Sequence, residues 1–184
     1  KKYDTKFIPV DSEHFSLWYG LRGNNIKDVE KVYLTASGGP FYNLPIKKFK
    51  NISVDKALKH PNWSMGKKIS IDSATLINKV FELIEAKKIF NLELSKFEIL
   101  LHPDSYVHAI VKFKNGITKI LIHDTDMKIP IFNSIYQNED KVLKSNNLDL
   151  SKINNLKLQY VSSKQFSSVN LLNLFKNIDS SLYE

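Results

Sequence analysis

The sequence contains no cysteine. This absence excludes disulfide bonds, thiolate metal sites and a cysteine nucleophile, and it mildly favours a cytoplasmic location. A run of about 18 apolar residues, which a membrane-spanning helix requires, is also absent. No apolar segment follows the basic residues Lys1 and Lys2, so no signal peptide is predicted. We therefore expect a cytoplasmic protein with no membrane partner.

Arginine is almost as scarce, because Arg22 stands alone among 27 basic residues. The net charge of +8 is compatible with a nucleic-acid partner. However, the lysines are dispersed along the chain, and proteins that read DNA bases depend on arginine for bidentate contacts. The glycine-rich patterns GxGxxG and GxxxxGK[ST], which bind nucleotide phosphates, do not occur. Nucleic acid is therefore not a predicted partner.

The chain does contain enough apolar material for one domain with a core, because 42% of its 184 residues are hydrophobic. Strand-like patterns occur at 32–35, 97–101, 106–113, 117–122 and 156–161, and also at 7–10 and 68–71. Asn115-Gly116 between two alternating runs predicts a hairpin over 106–122. Helical patterns occur at 73–90 and, more briefly, at 53–57, 131–136 and 169–175. The prediction is an α+β fold in which helices cover a mixed sheet.

A loop followed by a helix, from His60 to Glu85, is the most informative stretch. The loop carries three large side chains, and Asp72 and Ser73 before the helix are candidate N-caps. On the helix, four polar groups share one face at spacings of three and four: Thr75, Asn78, Lys79 and Glu82. Their apolar counterpart is a predicted core face of Ile77, Val80, Phe81, Ile84 and the Lys88 stem. Because a helix N-terminus attracts phosphate, the polar face predicts a phosphate site. The alternative is a solvated face with an ion pair between Lys79 and Glu82.

Two carboxylates near the N-terminus, Asp11 and Glu13, flank Ser12 directly after a strand-like stretch. Such a pair suits a hard divalent cation. The alternative is a helix N-cap, and for this short pattern alone capping is the better explanation. Further along, Ser37 begins an S-G-G-P turn that would let backbone amides approach a ligand, although a plain glycine turn explains the pattern equally well.

Three histidines lie on or beside predicted strands: His102, His108 and His123. A lone histidine on a strand is usually a structural residue. We therefore predict a role at a site only for His108.

Five blocks, taken in order, resemble one enzyme family. They are IPVDSEH, LTASGGPF, HPNWSMGKKISIDSATLINK, LHPDSYVHAIV and DMKIPI, which together span about residues 5–135. The family is that of the 1-deoxy-D-xylulose 5-phosphate reductoisomerases. The resemblance implies a catalytic domain over 1–135 and a connecting segment over 136–184 that leads to a C-terminal helical domain. Val80-Phe81 departs from the family's glycine-leucine, and Phe15 and Trp18 also depart from its pattern.

The resemblance assigns site residues by matching position. The implied metal ligands are Asp11, Glu13 and Glu82, with His60 as a further catalytic residue. The implied substrate-binding residues are Ser12, Glu13, Ser37, His60, Trp63, Ser73, Asn78, Lys79 and Glu82. Met65, Gly66 and Met127 are implied to lie near the nicotinamide cofactor, and His108 close to the active site. The loop that holds His60, Trp63 and Met65 corresponds to a flap that closes over the substrate.

The same resemblance implies an NADPH-dependent oxidoreductase and isomerase that uses Mg²⁺ or Mn²⁺. The expected reaction rearranges the sugar-phosphate substrate and reduces it to 2-C-methyl-D-erythritol 4-phosphate, in non-mevalonate isoprenoid biosynthesis. A homodimer is expected. Since no nucleotide-binding motif is visible, the chain is expected to need the family's NADPH domain. The alternative is a non-catalytic sugar-phosphate-binding or dimerisation fragment.

Overall fold

The computed structural model describes residues 5–137 and 139–177. The strands in this part of the chain are β1 (Val29–Ala36), β2 (Phe97–Leu101), β3 (Val107–Phe113), β4 (Thr118–Ile122) and β5 (Gln159–Tyr160). They form one sheet in the order β4-β3-β1-β2-β5. β1 runs parallel to β2 and antiparallel to β3, and the outer pairs are antiparallel. This mixed sheet confirms the predicted α+β fold.

Helices lie before, between and after the strands. The α-helices are α1 (Ser12–Leu21), α2 (Val54–Ala57), α3 (Lys67–Thr75), α4 (Ile77–Phe90), α5 (Lys128–Ile135) and α6 (Leu150–Asn154). Short 3₁₀ helices occupy Ile26–Asp28, Gly39–Phe41, Ile46–Asn51 and Leu94–Lys96, and a longer one runs over Ser167–Asn177. No helix in the described ranges is long and apolar enough to cross a membrane.

The main core lies where α1 and α4 pack on one face of the sheet. Its fully buried members include Leu17, Val32, Leu34, Val80, Leu83 and Val111. Phe166 and Phe175, which come late in the chain, join the same core. On the opposite face a smaller cluster surrounds Ile110. The central strand β1 is therefore covered on both sides, while β4 and β5 form the edges of the described sheet.

Two local predictions are confirmed because their signals are short-range. The β3–β4 hairpin turns at Asn115-Gly116, where Gly116 has a φ of +87° that favours glycine. The Asp11 side chain caps α1 by accepting hydrogen bonds from the backbone amides of Glu13 (3.2 Å) and His14 (3.1 Å). Capping positions Asp11 at the start of the helix. This role as a helix cap is compatible with a role as a metal ligand.

The predicted strand over 68–71 is wrong, because these residues lie in the first half of α3. Their alternation of polar and apolar residues fits a helix, since Ser70 is buried and Ile71 is exposed. Ser70 and Ala74, one turn apart, form the buried side of α3. Gly39 lies so close to this side that a Cβ would approach the Ala74 Cα at 2.9 Å. The chain thus folds α3 against the S-G-G-P turn.

The predicted caps Asp72 and Ser73 are also wrong, because both lie inside α3. α4 begins instead after Leu76, a buried residue with a left-handed φ of 60°. On α4 the predicted core face is confirmed at Val80 and Ile84, whereas Ile77 and Phe81 are half-buried and Lys88 is exposed. The buried side is wider than one apolar stripe, because Lys79 and Glu82 are buried as well.

Other boundaries differ from the predictions. Residues 7–10 form neither a helix nor a strand, so the predicted strand end is wrong. The strand predicted at 156–161 is reduced to β5, and the helix predicted at 169–175 lies within a 3₁₀ helix. The helix predicted at 131–136 is α5, which starts earlier and has Pro130 in its first turn.

Candidate active site

One cavity of about 220 Å³ gathers most of the predicted site residues. Its lining combines the start of α1, the end of β1, the start of β3, the α3–α4 corner and the loop before α3. The predicted residues that line it are Asp11, Ser12, Glu13, Ser37, His60, Trp63, Met65, Ser73, Asn78, Lys79, Glu82, His108 and Met127. Segments that are distant in sequence therefore meet at one point of the fold.

Three carboxylates form the acidic side of the cavity. Asp11, Glu13 and Glu82 each offer one oxygen, and these oxygens lie within 4.8 Å of one another. They meet because α1 packs against α4, which brings the first turn of α1 beside Glu82. Ser12 Oγ donates a hydrogen bond to Glu13 Oε2 at 2.5 Å, and the Asn78 amide donates to Glu82 Oε1. Neighbouring polar groups thus hold the carboxylates in place.

A buried lysine bridges two of these acids. Lys79 Nζ donates to Glu13 Oε1 at 2.5 Å and to Glu82 Oε2 at 2.6 Å. Burial alone would lower the pKa of Lys79, but the charges of Glu13 and Glu82 more than offset this effect and raise it. Burial would raise the pKa of Glu13, but the charges of Lys79 and His108, together with hydrogen bonds from Lys79 and Ser12, outweigh burial and lower it to about 2. Lys79 and Glu13 therefore form a charged pair.

The negative charges of the other two carboxylates, Glu82 and Asp11, are not fully balanced by the Lys79 ammonium group. Burial, followed by the charge of Glu13, raises the pKa of Glu82 well above its ordinary value. The same two causes raise the pKa of Asp11. Three acids share one ammonium group, so the cluster has a deficit of positive charge.

The donor set fits a hard divalent cation. Three carboxylates at short mutual distance are the ligands that Mg²⁺ and Mn²⁺ prefer, and a cation would supply the missing positive charge. Asp11, Glu13 and Glu82 would hold it. Because Lys79 Nζ contacts Glu13 and Glu82 directly, a cation bound there would compete with the ammonium group for these carboxylates.

Hydroxyl, amide and ammonium groups line the cavity beside the acids. Ser37, Ser73, Asn78 and Lys79 all contribute, and the first turn of the 14-residue helix α4 begins among them. Ser37 Oγ accepts a hydrogen bond from the Gly39 amide at 3.0 Å. Thr75 does not belong to this group, since its hydroxyl donates to carbonyls of α3 and the side chain is exposed. The break at Leu76 separates it from the polar face that the sequence predicts.

The loop before α3 closes one side of the cavity. His60 Nδ1 accepts from the amides of Asn62 (3.2 Å) and Trp63 (3.0 Å), so Nε2 carries the proton. That Nε2 group donates to Ser37 Oγ at 3.0 Å. Burial, followed by the Lys79 charge, lowers the pKa of His60, in keeping with a neutral ring. The loop is therefore tied to the S-G-G-P turn through one histidine.

Asn62 and Ser105 are site residues that the sequence analysis missed. Asn62 Nδ2 donates to Ser105 Oγ at 2.7 Å and to the Pro103 carbonyl at 2.5 Å, which anchors the loop to the turn after β2. Asparagine directly after Pro61 was the available signal, because such residues bond to nearby backbone. Gly66 does not line the cavity, since it begins α3 and its carbonyl accepts from Ser70 Oγ.

Of the strand histidines, His108 lines the cavity and His102 does not. His102 is buried behind β2, where its Nδ1 bonds to the Lys157 carbonyl at 2.9 Å. His123 lies directly behind His108. Burial, followed by the proximity of His123, lowers the pKa of His108 to about 4.

Comparison with known proteins identifies close relatives. Residues 7–90 match the family model of the 1-deoxy-D-xylulose 5-phosphate reductoisomerase C-terminal domain. The chain is 63% identical to the 1-deoxy-D-xylulose 5-phosphate reductoisomerase of Pelagibacter ubique, over 98% of the chain and 46% of that protein. It is 45% identical to the enzyme of the same description from Sulfurihydrogenibium sp., over 90% of the chain and 44% of that protein. The chain thus spans about half the length of the curated relatives it matches.

A solved structure agrees with these relatives. A crystal structure of DOX-P reductoisomerase in complex with NADPH, fosmidomycin and magnesium is similar, with a TM-score of 0.83 and 35% identity. The similarity covers 95% of this chain and 45% of that one.

Proposed function

The chain belongs to the 1-deoxy-D-xylulose 5-phosphate reductoisomerase family over the region it shares with its relatives, and we propose that it is that enzyme's metal- and substrate-binding part. The observation that carries this proposal is the meeting of Asp11, Glu13 and Glu82 beside a cavity lined by serine, asparagine and lysine. A protein that only binds a sugar phosphate has no need for three carboxylates next to the phosphate pocket.

The acidic side of the cavity would hold Mg²⁺ or Mn²⁺. When bound, such a cation polarises a carbonyl group and stabilises negative charge on its oxygen. Ser12 and Glu13 lie beside it and would orient the substrate hydroxyl groups. His60, held in one tautomer by two backbone amides, donates its Nε2 proton to Ser37 Oγ and would thereby orient that hydroxyl at the cavity.

The polar side of the cavity would bind the phosphate group. Ser37, Ser73, Asn78 and Lys79 offer hydroxyl, amide and ammonium donors at the N-terminus of α4, where the helix dipole favours an anion. Phosphate binding away from the reacting carbons can drive loop closure and hold the substrate in place. The Trp63 and Met65 side chains would then exclude water from the reacting centre.

The proposed reaction has two stages. The substrate, 1-deoxy-D-xylulose 5-phosphate, rearranges its carbon skeleton to a branched aldehyde, and NADPH reduces this aldehyde to 2-C-methyl-D-erythritol 4-phosphate. We assign to the nicotinamide the cavity residues Met65 and Met127, and also Gly66, which follows Met65 in the chain. The remaining contacts to NADPH would come from a nucleotide-binding domain. We also propose the division at residue 135, a homodimer and a cytoplasmic location.

Binding measurements test the metal and phosphate sites. Titration calorimetry should show that fosmidomycin binds the chain and that Mg²⁺ tightens this binding. Glu82→Gln should remove the effect of Mg²⁺ and preserve the fold, whereas Glu30→Gln, a control at an exposed ion pair, should change neither. A Glu82→Gln variant that unfolds, together with fosmidomycin binding insensitive to Mg²⁺ in the wild type, would contradict the ligand assignment.

Reconstitution tests the catalytic proposal against a non-catalytic fragment. The nucleotide-binding domain of a relative, added in trans with substrate and Mg²⁺, should produce NADPH oxidation that depends on this chain and on Glu82. If the chain binds Mg²⁺ and fosmidomycin but never supports NADPH oxidation, the binding fragment is the better description.

A further inference from the structure

The hairpin positions His108 through an irregularity in strand pairing. Val107 pairs with Ile122, and Ala109 pairs with Leu121, so two steps along β3 match one step along β4. His108 is the extra residue. A bulge of this kind re-aims a side chain, and bulges are frequent next to active sites. Here the His108 ring is directed to the cavity.

His123, the first residue after β4, supports that ring from behind. The two imidazoles stack with centroids 3.6 Å apart and an interplanar angle of 11°. His108 Nε2 also donates to the His123 carbonyl at 3.1 Å. The Trp63 ring also meets His108 edge to face at 6.3 Å. His108 is thus in contact with both a residue of the closing loop and His123.

The hydrogen bonds define the protonation of both rings. A carbonyl oxygen can only accept, so His108 carries its proton on Nε2, and its Nδ1 keeps a lone pair. His123 Nδ1 likewise donates to the Asp124 carbonyl at 2.7 Å. Two protonated imidazoles stacked at this distance would repel each other, so at least one ring of the stack must be neutral.

Packing alone does not explain a histidine at position 123. Its Nε2 atom is buried without a well-formed hydrogen bond in the described ranges, although the backbone of Ser12 lies close to the ring. An unpaired buried polar atom is destabilising, and an apolar ring would avoid that loss. Phenylalanine would avoid the buried Nε2 atom but would lose the Nδ1 bond to the Asp124 carbonyl, so stability alone does not favour histidine at this position.

We propose that His123 is a positioning residue for the active site. Its flat ring and its carbonyl oxygen hold His108 fixed in orientation at the cavity wall, and His108 in turn provides the surface that Trp63 contacts when a ligand is enclosed. This inference rests on the proposed function for the nature of that ligand, an anionic sugar phosphate or its phosphonate analogue.

Two substitutions separate the ring from its hydrogen bond. His123→Asn removes the ring and retains a side-chain donor for the Asp124 carbonyl, whereas His123→Phe retains a flat ring and removes the donor. The matched control is His102→Asn, because His102 is also buried, bonds to a carbonyl through Nδ1 and has an Nε2 with no hydrogen-bond partner among the described residues, but lies outside the cavity.

The first measurement follows the His108 ring by NMR during a pH titration of the 184-residue chain. The pKa of His108 should stay low in the wild type, in His123→Phe and in His102→Asn. In His123→Asn it should rise toward 6.5, because water reaches the uncovered ring. The second measurement is fosmidomycin affinity with Mg²⁺, which His123→Asn should weaken about tenfold and His123→Phe should largely preserve.

Distinct results would overturn the inference. A His123→Asn variant with an unchanged His108 pKa and unchanged affinity would show that the ring has no positioning role, and so would a His102→Asn variant with equal effects. If the wild-type chain fails to bind fosmidomycin, the proposed function fails, and the NMR titration alone then decides the positioning role of His123.

Discussion

Lys79 takes part in both halves of the cavity. Its ammonium group contacts Glu13 and Glu82, and it also lies among the serine hydroxyls that we assign to phosphate. A cation that binds the carboxylates would compete with Lys79, and the ammonium group would then become available to a phosphate group. Metal binding and phosphate binding should therefore favour each other.

Because Lys79 lies at both the carboxylates and the phosphate pocket, its substitution should have opposite effects on fosmidomycin binding and on Mg²⁺ binding. Lys79→Met should weaken fosmidomycin binding about 10- to 100-fold, since hydrogen bonds to charged groups contribute about 1.5–3 kcal/mol. At pH 8 the same variant should bind Mg²⁺ more tightly in the absence of other ligands, because no ammonium competes for the carboxylates. Calorimetry of both ligands measures the two effects, with Lys112→Met as an exposed control. Weaker binding of both ligands would argue against competition.

His108 predicts a pH dependence of stability. A histidine whose pKa falls from 6.5 to about 4 on folding binds its proton first in the unfolded chain, so acid favours unfolding. As the pH falls from 6.5 to about 4, protonation of His108 in the unfolded chain should reduce the free energy of unfolding by about 1.4 kcal/mol for each pH unit. Urea denaturation from pH 7 to 4.5 measures the slope. The free energy of unfolding of His108→Gln should depend less on pH over this range. Identical slopes for the variant and the wild type would contradict the prediction.

At the scale of helices, the corner between α3 and α4 depends on Leu76. This residue adopts a left-handed conformation that costs a non-glycine residue about 1–2 kcal/mol, and its side chain is 1% exposed. The side chain holds the corner in the core, and the corner places Ser73 and the start of α4 at the cavity.

Substitutions at Leu76 should separate the stabilisation from its buried side chain from the cost of its left-handed conformation. Leu76→Ala should lower the free energy of unfolding by about 2–5 kcal/mol through loss of buried surface. Leu76→Gly should be as stable as Leu76→Ala or more so, because glycine relieves the strained conformation. Chemical denaturation compares them. At Ala86, inside α4, the order should be reversed, with Gly less stable than Ala by about 1 kcal/mol. A glycine variant of Leu76 less stable than the alanine variant would contradict the strain argument.

Elements with local signals could be predicted from the sequence. The hairpin follows from Asn115-Gly116, and β2 from a short apolar run. The strand predicted at 68–71 shows the limit, since four alternating residues fit a strand or a helix with a buried serine equally well. The corner at Leu76 has no signal at all, because leucine rarely adopts a left-handed conformation. The sequence therefore predicts isolated elements better than the junctions between them.

The site is harder to predict, because it depends on contacts between distant elements. Spacing alone could not bring Asp11 and Glu13 to Glu82, since their meeting depends on how α1 packs on α4. Resemblance to a family supplied that grouping, and the cavity contains it. Position-by-position resemblance also has limits. It gave no weight to His123, whose contact with His108 arises from the bulge in β3.

At the scale of the whole molecule, the two faces of the sheet are unequally covered. The face toward α1 and α4 carries the main core, whereas the opposite face has a small cluster around Leu100, Val107 and Ile110. Ile120 lies opposite Ile110 on the edge strand β4 and is 46% exposed. An apolar side chain beside an open strand edge is a favourable position for a second protein surface.

The proposed homodimer should therefore depend on this edge. We expect sedimentation of the wild-type chain to show a dimer and Ile120→Lys to shift it to the monomer, because a charge at the centre of an apolar contact opposes association. Val142→Lys, at an apolar residue that is 91% exposed away from the sheet, is the control and should leave the dimer intact. Since the lining of the cavity comes from one chain, monomeric Ile120→Lys should still bind fosmidomycin with Mg²⁺. A wild-type chain that remains monomeric would contradict the dimer and leave the site assignment unchanged.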